Sequence, residues 1–213
     1  MKVGVLGTGD VGKALGKAFI TLGHDVKMGG REAKNEKAEA WARELGAKAS
    51  TGTFADAATF GEWVVVATLG VAVEAALKQA GPEHFKGKVV IDTTNPLDFS
   101  KGYPQLAFGH TDSGGERVQK QLPGAHVVKA FNTVGNTLMF KPVLPGGPPD
   151  MFIGGNDEGA KKKVADLLKE FGWGVIDLGG IEASRYLEPL CMIWVLHGVK
   201  SGGWNHAFKL LHK

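Results

Sequence analysis

Two textures alternate along this chain. Short runs of apolar, largely β-branched residues read as strands: Val3–Leu6, Val26–Met28, Trp63–Ala67, Val89–Ile91, Val127–Ala130, Met151–Ile153 and Val175–Ile176. Between them lie stretches with the 3.6-residue spacing of amphipathic helices: Val11–Leu22, Glu32–Leu45, Val71–Ala80, Glu116–Leu122 and Glu158–Phe171. Runs such as Val64-Val65-Val66 offer no polar face, which suits strands covered on both sides. Lys48–Ser50 reads as a short extra strand, and Ser113-Gly114-Gly115-Glu116 as a capping box. The alternation predicts an α/β fold with a doubly wound, mostly parallel sheet over residues 1–180.

Beyond that sheet, Glu182–Lys213 reads as two helices, an extension of the first unit and not an independent domain. Pro189 belongs in a first turn or at a kink. Leu187, Leu190, Cys191, Trp194 and Val195 make an apolar face that joins either the core or a subunit interface, and a homodimer is the expected assembly. The long segments Thr94–Thr111 and Lys141–Asp150 are either lids or rigid surface excursions.

The first strand runs into Gly7-Thr8-Gly9-Asp10-Val11-Gly12, a G-x-G-x-x-G turn, and then into a helix. Gly7 permits the tight turn, Gly9 lets the backbone approach a pyrophosphate, and Gly12 lets helix and strand pack closely. The helix N-terminus presents free N–H groups to phosphate. This is the dinucleotide-binding unit of a Rossmann fold. Asp10 reads as a helix-capping residue. At the end of the second strand an NAD enzyme carries Asp or Glu for the ribose 2′-hydroxyl. Here the chain has Met28-Gly29-Gly30-Arg31. Arg31 can fork onto a 2′-phosphate, with Lys34 or Lys37 adding charge. Glu32 is the rival, able to turn back to the ribose, although the first turn of the next helix also suits it. NADP(H) is therefore favoured over NAD(H).

Composition narrows the partners. The chain has 213 residues and a formal charge of +3, with no dense Lys/Arg run, so nucleic acid is not expected. One cysteine, Cys191, fits a reducing cytosol. No apolar stretch approaches membrane-spanning length, and a strand at the very start leaves no signal or transit peptide expected; the location is read as cytoplasmic. No Ser-His-Asp, H-E-x-x-H or Cys/His cluster is apparent, so no metal is expected. Of the histidines only His110, in a long loop, is a candidate to reach an acceptor. Lys129 reads as a strand residue with its head in solvent, and Asp92 as a plain strand residue. Asn132, at a strand end, is a candidate for orienting a ring amide.

With these elements go Ile91-Asp92-Thr93-Thr94-Asn95-Pro96, Val128-Lys129-Ala130-Phe131-Asn132-Thr133-Val134, Ile153-Gly154-Gly155-Asn156-Asp157 and Arg185-Tyr186-Leu187-Glu188-Pro189-Leu190. Together they resemble, nearly end to end, the NADPH-dependent oxidoreductases related to the reductase of coenzyme F420, an 8-hydroxy-5-deazaflavin. The resemblance implies that Thr8 contacts phosphate and that Arg31 holds the 2′-phosphate. Relatives often have Ser or Thr where Gly30 stands, so one hydroxyl contact is missing. It further implies that Thr68-Leu69-Gly70 pass the ribose and pyrophosphate. Asn95-Pro96 and Ala130-Phe131-Asn132-Thr133 would then lie where nicotinamide and deazaflavin meet, with Asn95, Phe131 and Asn132 positioning the rings. The implied reaction is hydride transfer between NADPH and the deazaflavin, a small-molecule partner, with the cofactors supplying the chemistry. The alternatives are an NADPH-dependent flavin or ferric reductase and a non-catalytic NADPH sensor. A β-hydroxyacid dehydrogenase or imine reductase would need a large helical domain for which too little chain remains after Val175–Ile176.

Overall fold

The apolar runs pair into one eight-stranded sheet, in the order β10-β9-β8-β5-β4-β1-β2-β3. The structure is a computed structural model that describes residues 1–211. In chain order its elements are β1 (Lys2–Leu6), α1 (Asp10–Thr21), β2 (Asp25–Gly30), α2 (Glu36–Leu45), β3 (Ala49–Thr53), α3 (Phe54–Phe60), β4 (Trp63–Val66), α4 (Val73–Ala80) and β5 (Val89–Asp92). There follow a small hairpin of β6 (Leu97–Asp98) and β7 (Gln105–Leu106), then α5 (Gly114–Gln121), β8 (His126–Lys129), β9 (Asp150–Gly155), α6 (Glu158–Glu170), β10 (Gly174–Asp177) and α7 (Ser184–Ser201). Among the described residues no helix is long and apolar enough to cross a membrane.

The strand pattern explains the two layers. Val64 and Val66 face one side, where α3, α4 and α5 bring Phe54, Ala57, Leu77 and Val118. Val65 faces the other, where α1, α2 and α6 bring Leu15, Phe19, Trp41, Val164 and Leu168. Period-two alternation in strands covered on both faces thus yields one core above the sheet and one below.

The sheet is mostly parallel as expected, while several elements and their bounds differ. The sheet is parallel from β3 to β8, but β9 pairs antiparallel with β8, and β10 is parallel to β9. The chain from β8 to β9 holds only a single 3₁₀ turn, Asn136–Leu138, so it returns without a helical crossover. The second helix starts at Glu36, not Glu32, because the Asn35 side chain accepts the Ala38 N–H at 3.1 Å. A helix not expected, α3, is set by a capping box: Thr53 accepts from the Asp56 N–H and Asp56 from the Thr53 N–H. The short strand predicted at Lys48–Ser50 is β3, and it extends to Thr53.

A further difference lies at the C-terminus, where one helix replaces the expected two. Gly202 ends α7 in the left-handed conformation at φ 69°. The following segment folds back without helix. The Trp204 ring lies against the bare Cα of Gly198, the Trp194 indole N–H donates to the His206 carbonyl at 2.8 Å, and the Asp150 N–H donates to the Phe208 carbonyl at 2.9 Å. The expected second helix ran to Lys213, and its last two residues lie outside the described range. Pro189 sits inside α7, where its ring nitrogen offers no bond to the Arg185 carbonyl.

Candidate functional site

The strand order reverses between β1 and β4, and ligands of open α/β sheets bind outside the carboxyl ends of the strands at such a point. A cleft of about 1070 Å³ opens there. One end is lined by Gly7, Thr8, Gly9, Asp10 and Val11 with Gly30 and Arg31, and the other by Thr93, Thr94, Asn95, Leu97 and Phe99. Thr68, Leu69 and Gly70 lie between them along the wall.

The glycine turn is built as its spacing requires. Gly7 has φ 124°, and a Cβ there would overlap the Ala67 carbonyl. A Cβ at Gly12 would overlap the Gly7 carbonyl oxygen, so α1 packs directly on the turn. Gly9 differs, since a Cβ there meets nothing within 4 Å. Gly9 is also the N-cap of α1, with no side-chain cap, so the first-turn N–H groups are left for a ligand. Asp10 is therefore not the cap but the first helical residue, exposed at the cleft.

Arg31 is exposed and lines the cleft. Glu32 stands beside it in the same cleft, outside the helix that was expected to hold it. Lys34 is exposed and does not line the cleft, whereas Asn35 does. The room at Gly30 is ordinary: a Cβ would sit 3.5 Å from the Thr8 methyl. At Gly70 a Cβ would overlap the Asn95 carbonyl, which fixes how closely the loops after β4 and β5 approach.

The expected ring-positioning residues divide. Asn95 lines the cleft. Asn132 is buried behind it, and the two residues are tied twice: Asn132 Nδ2 donates to Asn95 Oδ1 at 3.0 Å, and Asn95 Nδ2 to the Asn132 backbone carbonyl at 2.8 Å. Asn132 also donates to the Leu187 carbonyl at 2.9 Å. Phe131 is a core residue packed on Phe171, yet its backbone is left-handed at φ 61°, the turn that carries the chain from β8 to Asn132. Pro96 and Ala130 are buried and do not line the cleft. His110 is exposed and lies outside it.

Lys129 overturns its expectation. It is fully buried, with Nζ 2.9 Å from Asp92 Oδ2 and 2.8 Å from Glu188 Oε1. Burial alone would push its pKa down, but the two carboxylates more than offset that and hold it above the ordinary lysine value. A sequence in which Lys129 follows Val127-Val128 and precedes Ala130-Phe131 already implied a strand buried on both faces. Nothing local identifies Glu188 as its partner. Cys191 is no nucleophile, since burial pushes its thiol up to about 12.

Titratable side chains are scarce at the ring end. The one among the cleft's lining residues there is Asp98. Hydrogen bonds from the Ser100 N–H and Gln105 lower it to about 2, so it stays ionised and carries no proton at neutral pH. Among the described residues no group of His, Cys, Asp and Glu is placed to hold a metal.

An α/β sheet with a glycine turn at its switch point, free helix N–H groups and an arginine past β2 defines a nicotinamide-dinucleotide-binding protein. Residues 2–96 match the family described as NADP oxidoreductase, coenzyme F420-dependent. The chain is 31% identical to the F420-dependent NADP reductase of Methanothermobacter marburgensis, over 99% of this chain and 98% of that one. It is 32% identical to the enzyme of the same name from Methanocaldococcus jannaschii, over 94% and 93%. A crystal structure from Arthrobacter sp. FB24, designated an F420-dependent NADP-reductase, superposes over both whole chains with a TM-score of 0.94 and 41% identity. The chain belongs to the family of F420-dependent NADP oxidoreductases.

Proposed function

We infer that this protein is an NADP-dependent oxidoreductase that moves a hydride between NADPH and a coenzyme F420-type deazaflavin. The observation that carries the reading is the single cleft running from Gly9 and Arg31 to Thr93–Asn95 in a chain related over its full length to named F420-dependent NADP reductases. The residues present fit the dinucleotide. The void at Gly9 admits a pyrophosphate, and the uncapped first turn of α1 offers N–H groups to it. Arg31 would hold the 2′-phosphate, Thr68–Gly70 the middle of the molecule, and Thr93–Asn95 the ring end.

When bound, NADPH and the deazaflavin supply hydride donor and acceptor. The protein's own part is to hold the two rings at reacting distance and to line that end with apolar groups. Phe99, well exposed and lining that end, offers apolar surface to a planar acceptor. With Asp98 ionised and His110 outside the cleft, no described side chain lining the ring end is suited to general acid–base work. Rates with NADPH and coenzyme F420, FMN, FAD or no added acceptor test the reading. F420 should be reduced at least tenfold faster than either flavin; equal rates with the flavins would favour the flavin-reductase alternative, and no turnover would favour the sensor.

The stretch from residue 181 is proposed as an appendage of the dinucleotide-binding unit, supported by Glu188 reaching Lys129 on β8. The assembly is proposed as a homodimer in a reducing cytosol, where a single buried thiol fits. The apolar face first expected to mediate it is internal in large part: Leu187, Trp194 and Val195 are buried in their own chain. The opposite face of α7, with Tyr186, Leu190, Ile193 and Leu196, is apolar as well, and Pro189–Val199 contains no Asp, Glu, Lys or Arg. A helix apolar all round is covered on both sides, here by a second copy of the chain. Sedimentation should give twice the 22.5 kDa chain mass for the wild type and a monomer for Ile193→Glu. A monomeric wild type would defeat the dimer.

A further inference from the structure

The Lys129–Asp92–Glu188 cluster, the most deeply buried set of charges among the described residues, has no part in hydride transfer itself. Its purpose is not explained by stability. Buried ion clusters are poor stabilisers, and apolar replacements of the whole set are often neutral or better. Its bonds lead instead to the cleft. Asp92 Oδ1 accepts from the Thr94 N–H at 2.9 Å and from the Thr94 hydroxyl at 2.8 Å. Lys129 Nζ donates to the Thr94 carbonyl at 2.5 Å. Every polar group of Thr94 is thus tied to the cluster, and Thr94 lines the ring end of the cleft.

Glu188 anchors the cluster from the far side. Its carboxylate accepts from Lys129 and from the N–H groups of Gly114 and Gly115, at 2.9 and 3.0 Å, where α5 begins. The neighbouring cleft residue, Asn95, is held by Asn132, which is held in turn by the Leu187 carbonyl. Two successive floor residues, Thr94 and Asn95, are therefore each linked through one buried side chain to two successive residues of α7, Leu187 and Glu188. None of these bonds reaches the glycine turn or Arg31.

We propose that α7 sets the position of the ring-end floor through these two links, and that Glu188 is a positioning residue for the nicotinamide half of the dinucleotide. This rests on the reading of the cleft given above. Glu188 touches neither substrate; it acts through Lys129 and Thr94. Changing it to glutamine keeps the shape but leaves one acceptor oxygen where the Lys129 ammonium and two backbone N–H groups need two.

The test separates the two halves of the cleft. Calorimetry gives the affinities of wild type and Glu188→Gln for NADPH and for adenosine 2′,5′-bisphosphate, which lacks the nicotinamide. The affinity ratio of NADPH to the bisphosphate should fall by about tenfold, the bisphosphate affinity should stay within twofold, and kcat with F420 should fall on the order of ten- to a hundredfold, as expected for a misplacement of about 1 Å. Equal loss for both ligands would reveal general loosening and overturn the proposal, as would an unchanged ratio. A wild type that binds NADPH but reduces no acceptor defeats the functional reading alone, because the ratio still judges Glu188. If Glu188→Gln does not fold, Asn132→Leu cuts the link from Asn95 to Leu187 while leaving the ion cluster intact. The same split is then expected, and a wild-type ratio in Asn132→Leu overturns the proposal.

Discussion

Replacing Arg31 with alanine should weaken NADPH binding by about tenfold to a hundredfold and leave NADH nearly unaffected. The side chain is exposed at the mouth of the cleft and stands where the adenosine ribose is expected. A charge-assisted pair with a 2′-phosphate is worth roughly 1.5–3 kcal/mol, which converts to that range. NADH lacks the phosphate and loses nothing comparable. Glu32 provides a second check of sign. It shares the cleft with Arg31, so its carboxylate opposes a phosphate there, and Glu32→Gln should strengthen NADPH binding. Titrations of both dinucleotides against both variants measure this. Equal loss of NADPH and NADH in Arg31→Ala would remove Arg31 from the 2′-phosphate.

The second large effect distinguishes two glycines three residues apart. Gly12→Ala forces a methyl into the Gly7 carbonyl, so α1 must move off β1. Overpacking of that kind costs about 1–3 kcal/mol, a fall in Tm of roughly 2–12 °C for a chain of this size. Gly9→Ala meets open space and should leave Tm within about a degree. Its methyl instead occupies the room that a pyrophosphate needs, so NADPH affinity should fall at least tenfold. Thermal melts with and without NADPH read both quantities. A Gly9→Ala variant that binds NADPH like the wild type would show that the pyrophosphate does not pass over this turn.

The parts of the site legible in the sequence are those in which a local rule acts alone. Gly7 and Gly12 were legible because each answers a backbone demand within one turn, and Arg31 was legible as a candidate because it follows a strand that ends in glycines. The helix α3 carried a local signal too, the Thr53–Asp56 capping box, but in only seven residues between two strands the periodic pattern has no room to register. The start of α2 was misplaced because Glu32 and Asn35 are both plausible first-turn residues by charge, and only the Asn35 side-chain bond decides. Lys129 and Asn132 could not be read for a different reason. Their partners, Asp92, Glu188, Asn95 and Leu187, are remote in sequence, and a buried charge is tolerated only when tertiary structure brings its counter-charges to it. The reversal of β9 is likewise a matter of what the connecting chain does, which strand composition does not encode.

Direct hydride transfer between the two bound rings, without a protein acid or base, is the proposed chemistry. It is tested most directly with NADPH deuterated at the transferring position of nicotinamide C4 and coenzyme F420 as acceptor. The deuterium should appear on the reduced deazaflavin, and the kcat profile should show no bell shape between about pH 6 and 8. Recovery of the label in water, with none on the deazaflavin, would contradict it.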